Sequence, residues 1–233
     1  MASDHLSPGQ LPLDLSVEPG HGRDELVVSQ ANSGAVTLID SWPDWPSAMV
    51  VLAGPAGSGK THLAAIWQDL SGALVLPHDG LGLESWDGEG VPAFLVDDAD
   101  QPGLDETGLF HLINMVRQNG GTLLLTARRF PGAWGVALPD LASRLKAATT
   151  VEIAEPDDLL LSGVIMKLFA DRQISVDAAV ITYLARRMER SLAAANAVVD
   201  ALDRLALSRR CRITRQLAAE VLDAFDTRQG ELF

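Results

Sequence analysis

One stretch of the sequence, Ala48 to Trp67, restricts the possible folds of this chain more than any other. Residues 50–53 form an apolar run with two β-branched members, which predicts a buried strand. The pattern G-x-x-x-x-G-K-[ST] follows at Gly54 to Thr61, and apolar residues then recur at helical spacing. A strand, a glycine-rich loop and a helix in this order predict a phosphate-binding loop. The alternative is a glycine-rich turn between strand and helix that carries a lysine by chance.

The glycines of this loop allow successive backbone N–H groups to approach phosphate oxygens, where side chains would obstruct them. We therefore predict a nucleotide-binding set that consists of Gly54, Gly57, Ser58, Gly59, Lys60, Thr61 and His62.

A second apolar run, at residues 93–96, ends in paired carboxylates. In parallel sheets the carboxyl end of such a strand lies beside the phosphate loop, where an aspartate can hold Mg²⁺ directly or through water. Asp97 is the predicted metal carboxylate, with the Thr61 hydroxyl as a second Mg²⁺ ligand. Asp98 is the candidate for orienting or deprotonating an attacking water. The alternative is an acidic turn between strand and loop.

The order of elements predicts an α/β fold, with a parallel sheet covered by helices on both faces and a small all-α lid after it. Strands are expected near residues 50, 74, 94 and 123, and from Pro156 onward the pattern is helical only. Ser175, Ser191 and Thr214 are the predicted helix caps. We predict four parts: a flexible tail at 1–25, a nucleotide-binding α/β domain at 26–154, a helical lid at 155–226 and a C-terminal tail at 227–233.

Composition restricts the class of partner. The net charge of -13 argues against broad attraction to a nucleic-acid backbone, and acidic residues dilute the small arginine clusters at 185–190 and 208–215. The single cysteine, Cys211, excludes an internal disulfide and suits a reducing compartment. No stretch resembles a signal peptide or a membrane span. We expect a soluble cytoplasmic protein without a membrane partner.

The tail contains one apolar island, "QLPLDL", from Gln10 to Leu15. Leu11, Leu13 and Leu15 alternate, so they share one side of an extended segment that suits a groove on a partner. The same alternation fits an edge strand that folds back onto the core of this chain, and spacing does not separate the two.

Several further motifs occur in order along the chain: "GKTHL" at 59–63, "VDDAD" at 96–100, "TARRFP" at 126–131, "LPDLASRL" at 138–145 and "MERSLAAANAVVDAL" at 188–202. Together they resemble the AAA+ family of the bacterial replication initiator DnaA and its shorter regulatory homologue Hda. The resemblance covers roughly residues 26 to 225 and the tail motif. DnaA continues into a DNA-binding helix-turn-helix domain, which we do not expect here because the sequence ends at Phe233.

The resemblance implies roles for two arginines. Arg144, in "LASRL", matches the arginine finger that reaches the γ-phosphate bound by a neighbouring subunit. Arg190, in "ERSL", matches the second sensor of the lid, although Arg186 and Arg187 compete for that place. By spacing alone, Arg144 would be an exposed helix arginine in a local ion pair.

The resemblance also implies a partner for the tail. "QLPLDL" is similar to the hexapeptide that binds the cleft of the DNA polymerase sliding clamp, with Gln10 as polar anchor and Leu13 and Leu15 as apolar plugs. A looser match, formed by Gln229, Leu232 and Phe233, is a secondary candidate for the same clamp.

The implied function is negative regulation of replication initiation. A clamp-tethered protein, connected to DNA through the clamp, would hold ADP or ATP with Mg²⁺ and stimulate hydrolysis of the ATP bound by DnaA; a homodimer is left open. One departure is at the first sensor, where DnaA has an acidic residue and this chain offers Ala127 and Arg128. If Arg128 occupies that place, weak hydrolysis of the chain's own nucleotide is expected. The alternatives are an ATPase of the helicase-loader type and an adaptor with a vestigial nucleotide site.

Overall fold

A computed structural model describes residues 22–23, 26–81 and 90–230 of the 233-residue chain. Its sheet has five parallel strands in the order β2-β3-β4-β1-β5. The strands are β1 (Met49–Ala53), β2 (Leu74–Val75), β3 (Ala93–Val96), β4 (Thr122–Ala127) and β5 (Thr149–Glu152). Since all strands are parallel, their carboxyl ends meet at one edge, and the predicted phosphate loop begins there, directly after β1.

Helices follow or separate the strands. The helices of the sheet part are α1 (Ser33–Asp40), α2 (Lys60–Ser71), α3 (Glu106–Gln118) and α4 (Pro139–Lys146), and a 3₁₀ turn lies at Pro131–Ala133. From residue 158 to residue 230 the chain forms the helices α5 (Asp158–Asp171), α6 (Ala178–Arg187), α7 (Leu192–Arg209) and α8 (Arg215–Gly230). No helix within the described ranges is long and apolar enough to cross a membrane.

Strand β1, which lies between β4 and β5, is fully buried, and its side chains alternate between two cores. Val50 and Leu52 pack with α1 and α2 on one face of the sheet. Met49 and Val51 pack with α3 and α4 on the other face. The predicted parallel sheet with helices on both faces is therefore confirmed.

The helices α5 to α8 have a hydrophobic core of their own. Phe169 and Leu184 lie at its centre, both almost completely buried. Asp157 caps α5 by accepting a hydrogen bond from the N–H of Leu160 at 2.7 Å. Its carboxylate also accepts hydrogen bonds from Ser29 and Ala31, which connects the helical part to the sheet part. Burial raises the pKa of Asp157, but the N–H of Leu160, the Ser29 hydroxyl and the N–H of Ala31 outweigh it and hold the pKa below its ordinary value.

The secondary structure differs from the sequence prediction in two places. The edge strand β5 was not anticipated, because Thr149–Glu152 contains a single strongly apolar residue and forms a strand by pairing with β1. Ser175 is not a helix cap. Asp177 caps α6 instead, accepting a hydrogen bond from the N–H of Ala179 at 2.7 Å. The caps predicted at Ser191 and Thr214 are confirmed.

Candidate nucleotide-binding site

The phosphate loop is built against the ends of its neighbouring strands. The N–H of Gly54 donates to the carbonyl of Ala127 at 3.1 Å, and a Cβ on Gly54 would lie 2.2 Å from the carbonyl oxygen of Ile153. Gly57 and Gly59 have φ of +71° and +98°, which side chains rarely tolerate. Glycine is thus required at three positions of the loop, and the backbone itself lines the cradle.

The Lys60 side chain is buried against this loop, with 6% of its surface exposed. Its ammonium donates to the carbonyls of Gly54 at 2.9 Å and Pro55 at 2.8 Å. Burial lowers the pKa of Lys60 below its ordinary value, and nearby carboxylates, the strongest being Asp98, act against that shift. The loop thus holds a cation at its base, the charge needed to bind phosphate.

The Ser58 hydroxyl indicates whether a phosphate group fits this loop. Its hydroxyl is buried and has no hydrogen-bond partner within the described part of the chain. A buried hydroxyl without a partner is costly, and a phosphate oxygen would accept its hydrogen bond. Together with the glycine cradle and Lys60, the orphan hydroxyl fits a nucleotide phosphate.

The Mg²⁺ ligands predicted from the sequence lie in contact. The Thr61 hydroxyl donates to a carboxylate oxygen of Asp97 at 3.0 Å, and the Thr126 hydroxyl donates to the other oxygen. Oxygen donors of this kind suit Mg²⁺, which takes one or two carboxylates and completes its shell with water and phosphate. In the described ranges no group of three His, Cys, Asp or Glu side chains could hold a metal ion by itself. When bound there, Mg²⁺ would neutralise phosphate charge.

Asp98 follows Asp97 directly and has a constrained backbone conformation. Its φ is +50°, and its N–H donates to the Thr126 hydroxyl at 2.8 Å. Its charge acts against the effect of burial on the pKa of Lys60. The proposed role of Asp98 in orienting or deprotonating water remains a prediction.

A cavity of about 420 Å³ opens from the loop toward the helical part. His62 lines it from α2, together with apolar residues of α5 and α7. The tryptophans near the domain start do not line it: Trp42 and Trp45 pack edge-on and stacked against Trp67, with ring centroids 6.5 and 5.1 Å away. The walls suit a flat base next to a phosphate chain.

Sequence reasoning did not anticipate that the start of α7 rests on the phosphate loop. The N–H of Leu192 donates to the carbonyl of Gly57 at 2.8 Å. A Cβ on Gly57 would lie 2.0 Å from the Ser191 hydroxyl oxygen and 2.9 Å from its Cβ. Gly57 is therefore needed for contact with the lid as well as for the turn.

No protein-family model matches the chain, and no curated protein sequence matches it. Solved structures do. Domain III of the Thermotoga maritima replication initiation protein DnaA has a TM-score of 0.72 at 17% identity, covering 89% of this chain and 97% of the domain. The Thermotoga maritima RuvB Holliday junction branch migration motor has a TM-score of 0.69 at 16% identity, covering 88% and 72%. AMPPCP-bound DnaA from Aquifex aeolicus has a TM-score of 0.63 at 16% identity, covering 82% and 66%.

The chain has the AAA+ fold. At these identities it is the fold that is shared, and the order of strands and the position of the loop after β1 belong to it.

Within the AAA+ fold, the structure places the proposed second sensor, Arg190, at the start of α5. Its guanidinium donates to the carbonyl of Pro156 at 3.1 Å and to the Asp158 carboxylate at 2.7 Å. Arg190 is half-exposed and does not line the cavity. The contact of Arg190 with phosphate remains a prediction.

At the end of β4, where the resemblance implies the first sensor, the backbone is held by Asp100. This buried carboxylate accepts the N–H groups of Arg128 at 3.0 Å and Arg129 at 3.2 Å. Burial raises the pKa of Asp100, but these two N–H groups and the Arg129 side chain outweigh it, so the pKa lies below its ordinary value. The charge of Arg128 adds to the effect of burial in lowering the pKa of Lys60.

The proposed arginine finger, Arg144, lies on α4 and away from the nucleotide cavity. Its Cζ is 4.4 Å from the centroid of the Phe110 ring, and it donates a hydrogen bond to the Asn114 side-chain oxygen. Both partners belong to α3. Arg144 lines a separate cavity of about 410 Å³, which Arg117 also lines.

The predicted clamp-binding residues fall outside the described ranges. These are Gln10, Leu11, Leu13, Leu15, Leu232 and Phe233, together with the side chain of Gln229. Clamp binding stays a prediction from the sequence.

Proposed function

We propose that this chain is an AAA+ regulator of replication initiation that binds an adenine nucleotide with Mg²⁺ and stimulates hydrolysis of the ATP held by DnaA. It acts in the manner of Hda, with its tail tethered to the sliding clamp on DNA and with little hydrolysis of its own nucleotide.

Nucleotide binding is supported by the loop and by the comparisons. The orphan hydroxyl of Ser58, the ammonium of Lys60 and the Thr61–Asp97 pair converge on one place. Two of the structures with this fold are DnaA bound to AMPPCP. The nucleotide of this chain acts as a structural signal, since the loop touches the start of α7 through Gly57.

The observation that carries the proposal is the placement of Arg144. Its guanidinium is half-buried, held by the Phe110 ring and Asn114, and outside the cavity of its own nucleotide. A guanidinium is always charged, and its fork matches phosphoryl oxygens. An arginine held rigidly on an outer helix loses little entropy on contact with a second molecule's phosphate. This geometry supports action on a partner's triphosphate.

A tether to the clamp would bring this acidic chain close to DNA, which its own charge does not do. At a net charge of -13 the protein gains little from the DNA backbone itself. A tail bound to a clamp that encircles DNA would raise the local concentration of the chain near DnaA without any contact to DNA. The "QLPLDL" segment supplies the sequence basis for that contact.

The test measures hydrolysis of DnaA-bound ATP in the presence of clamp-loaded DNA. Arg144→Ala is expected to lower the stimulation by about 10³-fold or more, the scale on which fingers act. Arg144→Lys keeps the charge without the fork, and little of the stimulation should return. The matched control is Arg117→Ala, which removes an exposed arginine from the same cavity and should leave stimulation unchanged.

Equal stimulation by wild type and Arg144→Ala would end the finger assignment. Loss in both Arg144→Ala and Arg117→Ala would point to a general requirement for charge on this face. Clamp tethering is tested separately with Gln10→Ala and Gln229→Ala, each measured for affinity to the clamp.

A further inference from the structure

The cavity beside Arg144 lies at the amino end of the sheet, opposite to the edge that carries the phosphate loop. It has a volume of about 410 Å³, in the range of small-molecule sites. Met49, the first residue of β1, and Leu123, near the start of β4, line it together with Ile113 and Val116 of α3. These four side chains are buried, so the inner wall of the cavity is apolar.

Two arginines supply the charge of this cavity. Arg117, in the last turn of α3, and Arg144, in the last turn of α4, both line it. In the described part of the chain no aspartate or glutamate is among its lining residues. The whole chain carries 31 acidic residues against 18 lysines and arginines, so two cations without a carboxylate contrast with its composition. The charge around this cavity therefore favours an anionic ligand.

Both guanidiniums keep donors for such a ligand. A guanidinium has five N–H donors, and Arg144 uses one of its nitrogens to donate to the Asn114 side-chain oxygen. Arg117 is exposed, and its side chain has no hydrogen-bond or ion-pair partner among the residues that the structure describes. The fork of a guanidinium matches the two oxygens of a carboxylate. A carboxylate between the two arginines would use donors that the fold leaves available.

Helix ends offer a second reason for the two arginines. A cation in the last turn of a helix is stabilised by the carbonyl groups there, whether or not a ligand is present. That reason accounts for the charges but not for the apolar inner wall between them and the sheet. An anion with an apolar body would use both features, whereas a small inorganic anion would meet the arginines alone.

We propose that this cavity binds a small organic carboxylate, with its carboxylate between Arg117 and Arg144 and its apolar body against Met49 and α3. No described residue lines both this cavity and the one that opens from the phosphate loop, so the ligand would be a second one beside the nucleotide. The inference goes beyond the proposed function and does not depend on it.

The experiment titrates the full chain, labelled with carbon-13 at the methionine methyl groups, with octanoate and follows the methyl resonances. The Met49 signal should shift until it saturates, whereas the signal of Met166, exposed on α5, should not change. Octanoate should bind at least about tenfold more tightly than octanamide, which lacks the charge, and than acetate, which lacks the chain.

Variants of the two arginines test the carboxylate contact. Arg117→Ala and Arg144→Ala should each weaken octanoate binding about tenfold, the scale of a hydrogen bond to a charged group. Arg117→Lys keeps the charge without the fork and should recover only part of the loss. Arg212→Ala removes an exposed arginine between α7 and α8 and should not change the affinity. Thermal unfolding shows whether each variant is folded, and Arg117→Ala provides the measurement should Arg144→Ala not be.

Three results would overturn the inference. Octanamide that binds as tightly as octanoate would mean that the apolar wall alone attracts the ligand. Equal octanoate affinities of wild type, Arg117→Ala and Arg144→Ala would mean that the arginines serve only their helix ends. A Met49 signal that does not shift to saturation would mean that the cavity takes no such carboxylate. Nucleotide affinity and stimulation of DnaA are measured separately, so each of these results leaves the proposed function standing.

Discussion

Two places in this molecule present a cation in opposite ways. At the phosphate loop, Lys60 is buried, bonded to backbone carbonyls and surrounded by carboxylates. On α4, Arg144 is half-buried, held by side chains of α3 and directed away from that loop. We call the first the inward site, because backbone groups of the loop hold its cation inside the fold. We call the second the outward site, because side chains of α3 hold its cation on an outer helix. In the proposed function, the first place binds the chain's own nucleotide and the second acts on a partner's.

The strongest test of this separation removes Lys60. Lys60→Ala should lower nucleotide affinity by roughly 100-fold, because the ammonium would make at least two charge-assisted contacts with phosphate. Calorimetry with ADP and AMPPCP measures the loss. Lys146→Ala, an exposed lysine on α4, is the control and should bind both nucleotides as the wild type does.

The same variant decides between a nucleotide-dependent regulator and an adaptor with a vestigial site. If Lys60→Ala binds no nucleotide but still stimulates hydrolysis by DnaA, the two places are independent and the adaptor is favoured. If stimulation falls together with nucleotide affinity, the inward site controls the outward one.

A smaller effect is expected from Gly57, where the loop contacts the lid. Gly57→Ala should cost roughly 2–4 kcal/mol of stability, since alanine is strained at positive φ and its Cβ would also press on Ser191. Thermal unfolding and hydrogen exchange at the amide of Leu192, which bonds to the Gly57 carbonyl, measure the change.

Gly72 is the matched control, with φ of +68° and nothing within 4 Å of an added Cβ. Gly72→Ala should cost about 1 kcal/mol from strain alone and leave exchange at Leu192 unchanged. Equal costs for the two variants would mean that the lid yields to the added methyl without loss. The coupling between loop and lid would then be weaker than the close contact indicates.

The sequence predicts the local structure around the phosphate loop well because its signals are local. The loop from Gly54 to Thr61 carries its strand, glycines and helix within a short window, and Asp97 follows an apolar run at the matching strand end. Asp97 and Thr61 lie in contact as expected. Four of the five strands are also marked by apolar runs, which decide local structure without knowledge of the partners.

What the sequence does not reveal depends on partners distant in the chain. The β5 strand has little apolar character and exists through pairing with β1. The contact of Leu192 with Gly57 joins residues 135 positions apart, and no periodicity marks it. Arg190 is a further case, because its partner Asp158, at the start of α5, is also distant in the chain. This ion pair competes with the phosphate contact that the resemblance implies.

The smallest expected effect concerns the outward site and the ring beneath Arg144. Phe110→Leu removes the ring face, 4.4 Å from the guanidinium carbon, but keeps an apolar side chain in a partly buried position. A cation–π contact at such a site is worth about 0.5–1 kcal/mol, so stimulation of DnaA-bound ATP hydrolysis should fall roughly two- to fivefold. Phe110→Tyr keeps the ring and should retain the wild-type rate. If Phe110→Leu is as active as wild type while Arg144→Ala is inactive, Asn114 alone positions the finger. If Phe110→Leu and Phe110→Tyr lose activity equally, the loss comes from packing between α3 and α4, and the outward site depends on its helices more than on its ring.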